Sequence, residues 1–134
     1  ALARAVVAPG EALPIDLFCA LPHVLFSPQG NMTAMTDSAL ARIGLKRRVI
    51  MSLPTFAGVC RTVSRSDAVA MVPLQFAQAV AGYLGLDLFP PPLPMPTPLI
   101  VAAWHRRASA NPAHRWMRGL VANVLEPLDR PDPA

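Results

Sequence analysis

Short apolar runs alternate with helically spaced apolar positions along most of this chain. His23-Val24-Leu25-Phe26 is a buried-strand candidate, stopped by Ser27-Pro28-Gln29-Gly30. A short helix is expected before it, over Asp16 to Ala20 behind Pro14. After it, Met35, Ala39, Leu40 and Ile43 are spaced to share one side of a helix. Gly44 should end that helix, with Leu45 placed for the apolar contact of a glycine C-cap. Arg48 to Leu53 then reads as a strand closed by Pro54, and Thr55 as the N-cap of a helix from Phe56 to Ser64. Ala68 to Val72 is a third apolar run of strand length, and Pro73 suits the first turn of a helix that Gly85 stops after Leu84. Leu86 to Phe89 and Leu99 to Trp104 are further strand candidates. The last helix is the best punctuated: Asn111 can cap it, Pro112 fits its first position, and Pro127 ends it. Trp116, Met117, Leu120, Val121, Val124 and Leu125 fill a broad apolar arc on it. Asp129 to Ala134 is expected to be a disordered tail. Repeated strand–helix alternation predicts an α/β domain with a mostly parallel sheet flanked by helices.

Composition narrows this picture. At 134 residues, with 53% hydrophobic and 15% charged residues, the chain can bury a real core. No apolar run approaches the roughly 18 residues of a membrane span. Ala1 to Ala8 lacks the charged start and cleavage site of an export signal, so a cytoplasmic location is expected. Pro90, Pro91, Pro92, Pro94, Pro96 and Pro98 exclude a helix there and predict an extended, stiff connector. The net charge of +4 is carried by scattered pairs (Lys46-Arg47-Arg48, Arg106-Arg107, Arg115, Arg118), read as the solvated ends of strands and helices rather than a nucleic-acid patch. Cys19 and Cys60 sit in apolar segments and are expected to be buried thiols.

No chemistry nominates itself. His23, His105 and His114 have no acidic or cysteine partner at ligand spacing, and no nucleophile-elbow, dinucleotide-binding or phosphate-loop motif occurs. Neither a metal nor a cofactor is expected, and no residue stands out as catalytic. What remains is topological, because ligands collect at the carboxyl ends of parallel strands. Three junctions there offer candidates: Ser27 and Gln29 after the first strand, Thr55 and Phe56 after the second, and Val72 and Pro73 after the third. Thr55 is equally suited to capping its helix, and Phe56 to packing in the core.

The order and spacing of several short motifs resemble the effector-binding domain of LysR-type transcriptional regulators. They are His23 to Gly30, Asp37-Ser38-Ala39-Leu40-Ala41 with Gly44-Leu45, Arg47-Arg48-Val49 leading to Pro54-Thr55-Phe56, and Ser66 to Pro73 with Phe76-Ala77. Pro92-Leu93-Pro94 onward to Trp104-His105-Arg106, with Asn111-Pro112 and Trp116, completes the series. Gln29 and Gln75 depart from it, standing where such sequences often carry a basic residue. The resemblance implies a type 2 periplasmic-binding-protein-like fold. Residues 1–98 would be the second effector-binding subdomain, with residues 1–20 as its connector. Residues 99–128 would supply the return strand and C-terminal helix of the first subdomain. It further implies a small-molecule effector in the cleft between subdomains, held from this side by the six candidates above. DNA would be bound only through a winged helix-turn-helix that is absent from this chain, and a homodimer or higher homo-oligomer is expected, with no membrane. The alternatives are a solute-binding protein or a small α/β enzyme of the same fold. A stand-alone interaction module built on the proline segment is a third.

Overall fold

The computed structural model describes residues 10–96 and 101–125. The chain divides into two compact units that meet between Pro96 and Thr97.

In the first unit, α1 (Ile15–Ala20) leads into β1 (Pro22–Phe26), followed by α2 (Met35–Ala41), β2 (Arg48–Leu53), α3 (Phe56–Val63) and α4 (Leu74–Leu84). β1 and β2 pair in parallel, with Pro22 opposite Arg48 and Phe26 opposite Leu53. The register slips between His23 and Val24, so β2 carries one extra residue, a bulge at Ile50. Val69 joins the other side of β1: its N–H donates to the Pro22 carbonyl and its carbonyl accepts from the Val24 N–H.

Side-chain alternation along β1 explains the two layers. Val24 points to one face and packs with Val59 of α3 and Ala68, supported by Phe26, Leu53, Val63, Ala70 and Val72. His23 and Leu25 point to the other and are also buried. On that side Phe18 of α1 meets Leu13, Leu40 of α2 and Leu93 of the proline segment. Leu93 is therefore a core residue set between prolines, which gives the stiff connector a packing role.

The punctuation predicted from sequence is largely where it was expected. The Thr55 hydroxyl accepts the Gly58 N–H at 3.1 Å and caps α3. Gly85 adopts φ +65°, and the Leu86 N–H returns to the Ala81 carbonyl, closing α4. Gly44 takes φ +73° as the Leu45 N–H returns to Leu40. The third and fourth strand candidates differ. Ala68 to Val72 makes only the single bridge at Val69, and Leu86 to Phe89 is irregular. Residues 99 and 100 of the fifth lie outside the described residues, and 101–104 form no strand.

In the second unit a 3₁₀ turn, Arg106–Ala108, precedes α5 (Pro112–Leu125). Asn111 Oδ1 accepts the N–H groups of Ala113 and His114, the predicted cap. The Arg118 guanidinium lies 4.4 Å from the Trp104 ring centroid and donates to the Ala108 and Ser109 carbonyls. The apolar arc of α5, from Trp116 to Leu125, is exposed throughout. Pro127 and the expected tail lie outside the described residues.

Candidate functional site

Parallel pairing places the ends of β1 and β2 side by side, and the Ser27 N–H donates to the Leu53 carbonyl at 2.9 Å. Both chains leave the sheet here, so Ser27, Thr55 and Phe56 come together at its carboxyl end. Aromatic contacts bind the same end across elements. The Phe56 ring, at the start of α3, stacks on Phe26 with centroids 4.0 Å apart and planes at 29°. It also meets Phe76, in the first turn of α4, at 5.7 Å. That contact brings Val72 and Pro73, directly before α4, to the same rim.

The six sequence candidates have distinct roles. Ser27 is buried, and its hydroxyl oxygen accepts the Asn31 N–H at 2.8 Å, tightening the turn after β1. Gln29 is exposed on that turn, next to Gly30 at φ +76°. Thr55 is exposed and caps α3, yet its O–H hydrogen is still available to donate. Phe56 is half-buried between Phe26 and Phe76, so packing and rim roles coincide. Val72 packs against the Val24 cluster, and Pro73 stands exposed as the residue before α4, which has no side-chain cap. Phe26 and Phe76 belong to this rim although neither was singled out from sequence. Aromatic residues flanking two junctions were the available signal.

One expected feature of the rim is absent. The Ser27 turn was read as lying beside a helix start, but α2 begins only at Met35, and its first turn is held at the opposite end of the sheet. There Arg47, immediately before β2, donates from Nε and Nη2 to the two Asp37 carboxylate oxygens at 3.0 and 2.8 Å. Its Nη1 also faces His23 Nδ1 at 3.4 Å. An arginine can only donate, so Nδ1 is the accepting nitrogen. The proton therefore sits on Nε2, which donates to the Phe18 carbonyl at 2.7 Å. His23 is neutral and held in one tautomer. Burial pushes its imidazole below the usual value, and the neighbouring guanidinium adds to the effect. Burial alone would raise Asp37, but the bonds from Arg47 and the Ala34 N–H outweigh it and hold the carboxyl below its ordinary range.

This cluster corrects the reading of Lys46-Arg47-Arg48 as uniformly solvated. Lys46 and Arg48 are exposed, whereas the Arg47 side chain is fully buried. Burial also raises both cysteine thiols; Cys60 is buried, while Cys19 is half-buried and further raised by Asp16. Neither microenvironment favours a thiolate. Among the described residues, no three or more His, Cys, Asp or Glu are grouped to hold a metal.

The largest cavity, about 1120 Å³, lies elsewhere in the unit. It runs along the outer side of Ala68 to Val72, between the end of α3, α4 and residues 85–92. Of the six candidates it reaches only Val72. Its walls are sheet edge and apolar side chains, whereas the polar groups converge at the rim.

Comparison with known proteins identifies the company this arrangement keeps. The family model for the LysR substrate binding domain matches residues 1–126. The HTH-type transcriptional activator NahR of Pseudomonas putida is 30% identical over 115 residues, covering 86% of this chain and 38% of NahR. The HTH-type transcriptional regulator SyrM of Rhizobium meliloti (strain 1021) is 32% identical over 109 residues, 81% of this chain and 33% of SyrM. Among solved structures, the regulatory domain of MexT, a transcriptional activator in Pseudomonas aeruginosa, superimposes with a TM-score of 0.69 at 31% identity. That match covers 83% of this chain and 56% of the MexT domain. The chain thus spans little more than a third of the curated regulators it matches.

Proposed function

The chain belongs to the LysR substrate-binding-domain family, and from that premise we propose that it is the effector-sensing part of a transcriptional regulator. A small molecule binds at the carboxyl end of the sheet, in the cleft between two subdomains. Residues 1–98 form the second of these, and residues 99–128 supply the return segment and helix of the first. Ser27, Gln29, Thr55 and Phe56 contact the effector from this side, with Val72 and Pro73 bordering them. The observation that carries this reading is the convergence of three chain junctions, held by the Ser27–Leu53 hydrogen bond and the Phe26–Phe56–Phe76 contacts. No charged side chain is among the six, so this side offers hydroxyl, amide and aromatic groups.

In the intact regulator, binding that favours one arrangement of the subdomains shifts the assembly toward the state sharing it, by no more than the difference in affinity. The DNA contact comes from a helix-turn-helix outside this chain, as the HTH-type names of the relatives suggest. The regulator works in the cytoplasm as a homodimer or higher homo-oligomer. Exposed Met32, Met35, Ile43, Ile50 and Met51, on or beside α2 and β2, favour association with another copy. Among the described residues, no helix is long and apolar enough to cross a membrane. The relatives are regulators, which weighs against the solute-binding and enzymatic alternatives.

The test is a thermal-shift screen of the intact regulator against a panel of small metabolites, repeated with Gln29→Ala and Thr55→Val. A ligand at about 100 times its Kd stabilises by roughly 2.7 kcal/mol, well within detection. A hit that raises Tm in the wild type and much less in the variants supports the site. A hit that shifts all three equally places the effector elsewhere.

A further inference from the structure

We infer that Arg47 is a positioning residue for the effector-facing loop, acting through Asp37 from the opposite end of the sheet. The inference rests on the reading of Ser27 and Gln29 as effector contacts only for its functional consequence. The loop from Ser27 to Ala34 connects the carboxyl end of β1 to the start of α2, beside the amino ends of β1 and β2. Its first anchor is local: Ser27 N–H to Leu53, Asn31 N–H to Ser27 Oγ, and Gly30 N–H to the Ser27 carbonyl. Its second anchor is the Ala34 N–H, which donates to Asp37 Oδ2 at 2.7 Å, the oxygen that Arg47 Nη2 also holds. Between the anchors, residues 28–33 are exposed.

α2 cannot hold that second anchor by its own strength. It has seven residues, of which only Thr36 and Leu40 are buried, and Ala34 supplies no capping side chain. A helix this short owes its placement to tertiary contacts. The strongest at its first turn is the two-bond Asp37–Arg47 pair, whose far side is closed by neutral His23. The groups facing His23 are the Phe18 carbonyl and ring from α1, Arg47 before β2, and Asp37 of α2 beyond it. Arg47 thus sets Asp37, Asp37 sets Ala34, and the loop carrying Gln29 is strung between Ala34 and Ser27.

Hydrogen–deuterium exchange on the intact regulator reads the loop directly. Three variants are compared with wild type: Arg47→Gln, Arg47→Lys, and Val59→Ala, which weakens the other core layer without touching the clamp. Peptides spanning 28–34 should exchange about tenfold faster or more in Arg47→Gln, from loss of a charged hydrogen-bonded pair. Arg47→Lys keeps one charged donor and should restore part of the protection, while peptides from β1 and α3 stay near wild type. Val59→Ala should accelerate α3 and leave 28–34 unchanged. Unchanged loop exchange in Arg47→Gln, or equal acceleration of loop and α3 in both Arg47→Gln and Val59→Ala, overturns the inference. Because exchange is measured without effector, failure of the clamp and failure of the effector site are separate results.

Discussion

Removing Asp37 should destabilise the fold far more than removing Arg47, although the two share one ion pair. The Arg47 side chain is 0% exposed, whereas Asp37 retains 22%. In Asp37→Ala, the guanidinium stays buried and loses both of its carboxylate bonds, leaving only the 3.4 Å approach to His23. Stranding a buried charge in this way costs about 3–5 kcal/mol. In Arg47→Met, a methionine of comparable length fills the site with apolar atoms. Asp37 can then turn toward water and keep the Ala34 N–H. Lost charged bonds of about 1.5–3 kcal/mol are partly offset by apolar burial, leaving a net cost of roughly 1–2 kcal/mol. The double variant Asp37→Ala/Arg47→Met strands nothing and should resemble Arg47→Met alone.

Urea denaturation of the chain, followed by far-ultraviolet circular dichroism, measures all four proteins. With an m-value of about 1.5 kcal/mol/M, Asp37→Ala should lower the midpoint by about 2 M or more. Arg47→Met should lower it by about 1 M. A double variant as unstable as the sum of the two, or an Arg47→Met that costs as much as Asp37→Ala, refutes the argument from stranded charge.

Acid should weaken the same cluster in two stages. His23 is held below its ordinary 6.5, so the unfolded chain takes up a proton first. Stability is full above about pH 6.5 and falls as pH drops through the interval down to the lowered folded value. Asp37 is held below 3.8, so a second loss begins near pH 3.8 and continues toward its lowered folded value. Urea midpoints between pH 8 and 3 check both, and a flat profile from 7 to 5 contradicts the assignment of neutral His23. Thr55→Ala should cost about 1 kcal/mol through loss of the α3 cap, with Thr55→Ser close to neutral. Gly58→Ala should fail to yield the usual helical gain of about 1 kcal/mol over glycine, because its Cβ would lie 3.0 Å from Thr55 Oγ1. In a Thr55→Ala background the gain should reappear, readable as a double-mutant cycle in urea. Leu40→Ala, at a fully buried position, should cost about 2–5 kcal/mol in the same assay.

Local chemistry was legible from the residues themselves. A threonine before a helical run, an asparagine before a proline, and glycines at helix ends act on groups within four positions. Thr55, Asn111, Gly44 and Gly85 accordingly stand where they were expected. The rim was legible one step less directly, since parallel pairing alone puts consecutive junctions at one end of the sheet. Strand formation is a different kind of property, because it needs a partner. Ala68 to Val72 and Leu86 to Phe89 have the composition of strands, but only Val69 meets a neighbour's backbone among the described residues. Periodicity reports which residues avoid water, and both runs do so partly by packing side chains around Val24 and Phe18.

Arg47 shows where such reading ends. Three consecutive cations before a strand are most cheaply placed in water, and Lys46 and Arg48 are. Burying the middle one requires a carboxylate aimed at it from a segment ten residues earlier. Asp37 can be so aimed only because α2 starts at Met35 instead of directly after Gly30. The delay is not encoded by any cap, since Ala34 has no side-chain acceptor. It follows from the ion pair itself, which draws the first turn of α2 toward Arg47 and leaves eight residues, Ser27 to Ala34, to span the distance. Helix start, loop length and buried charge thus determine one another. A mutation at Arg47 should therefore be felt at Gln29, whereas the same mutation at Arg48 should be nearly silent.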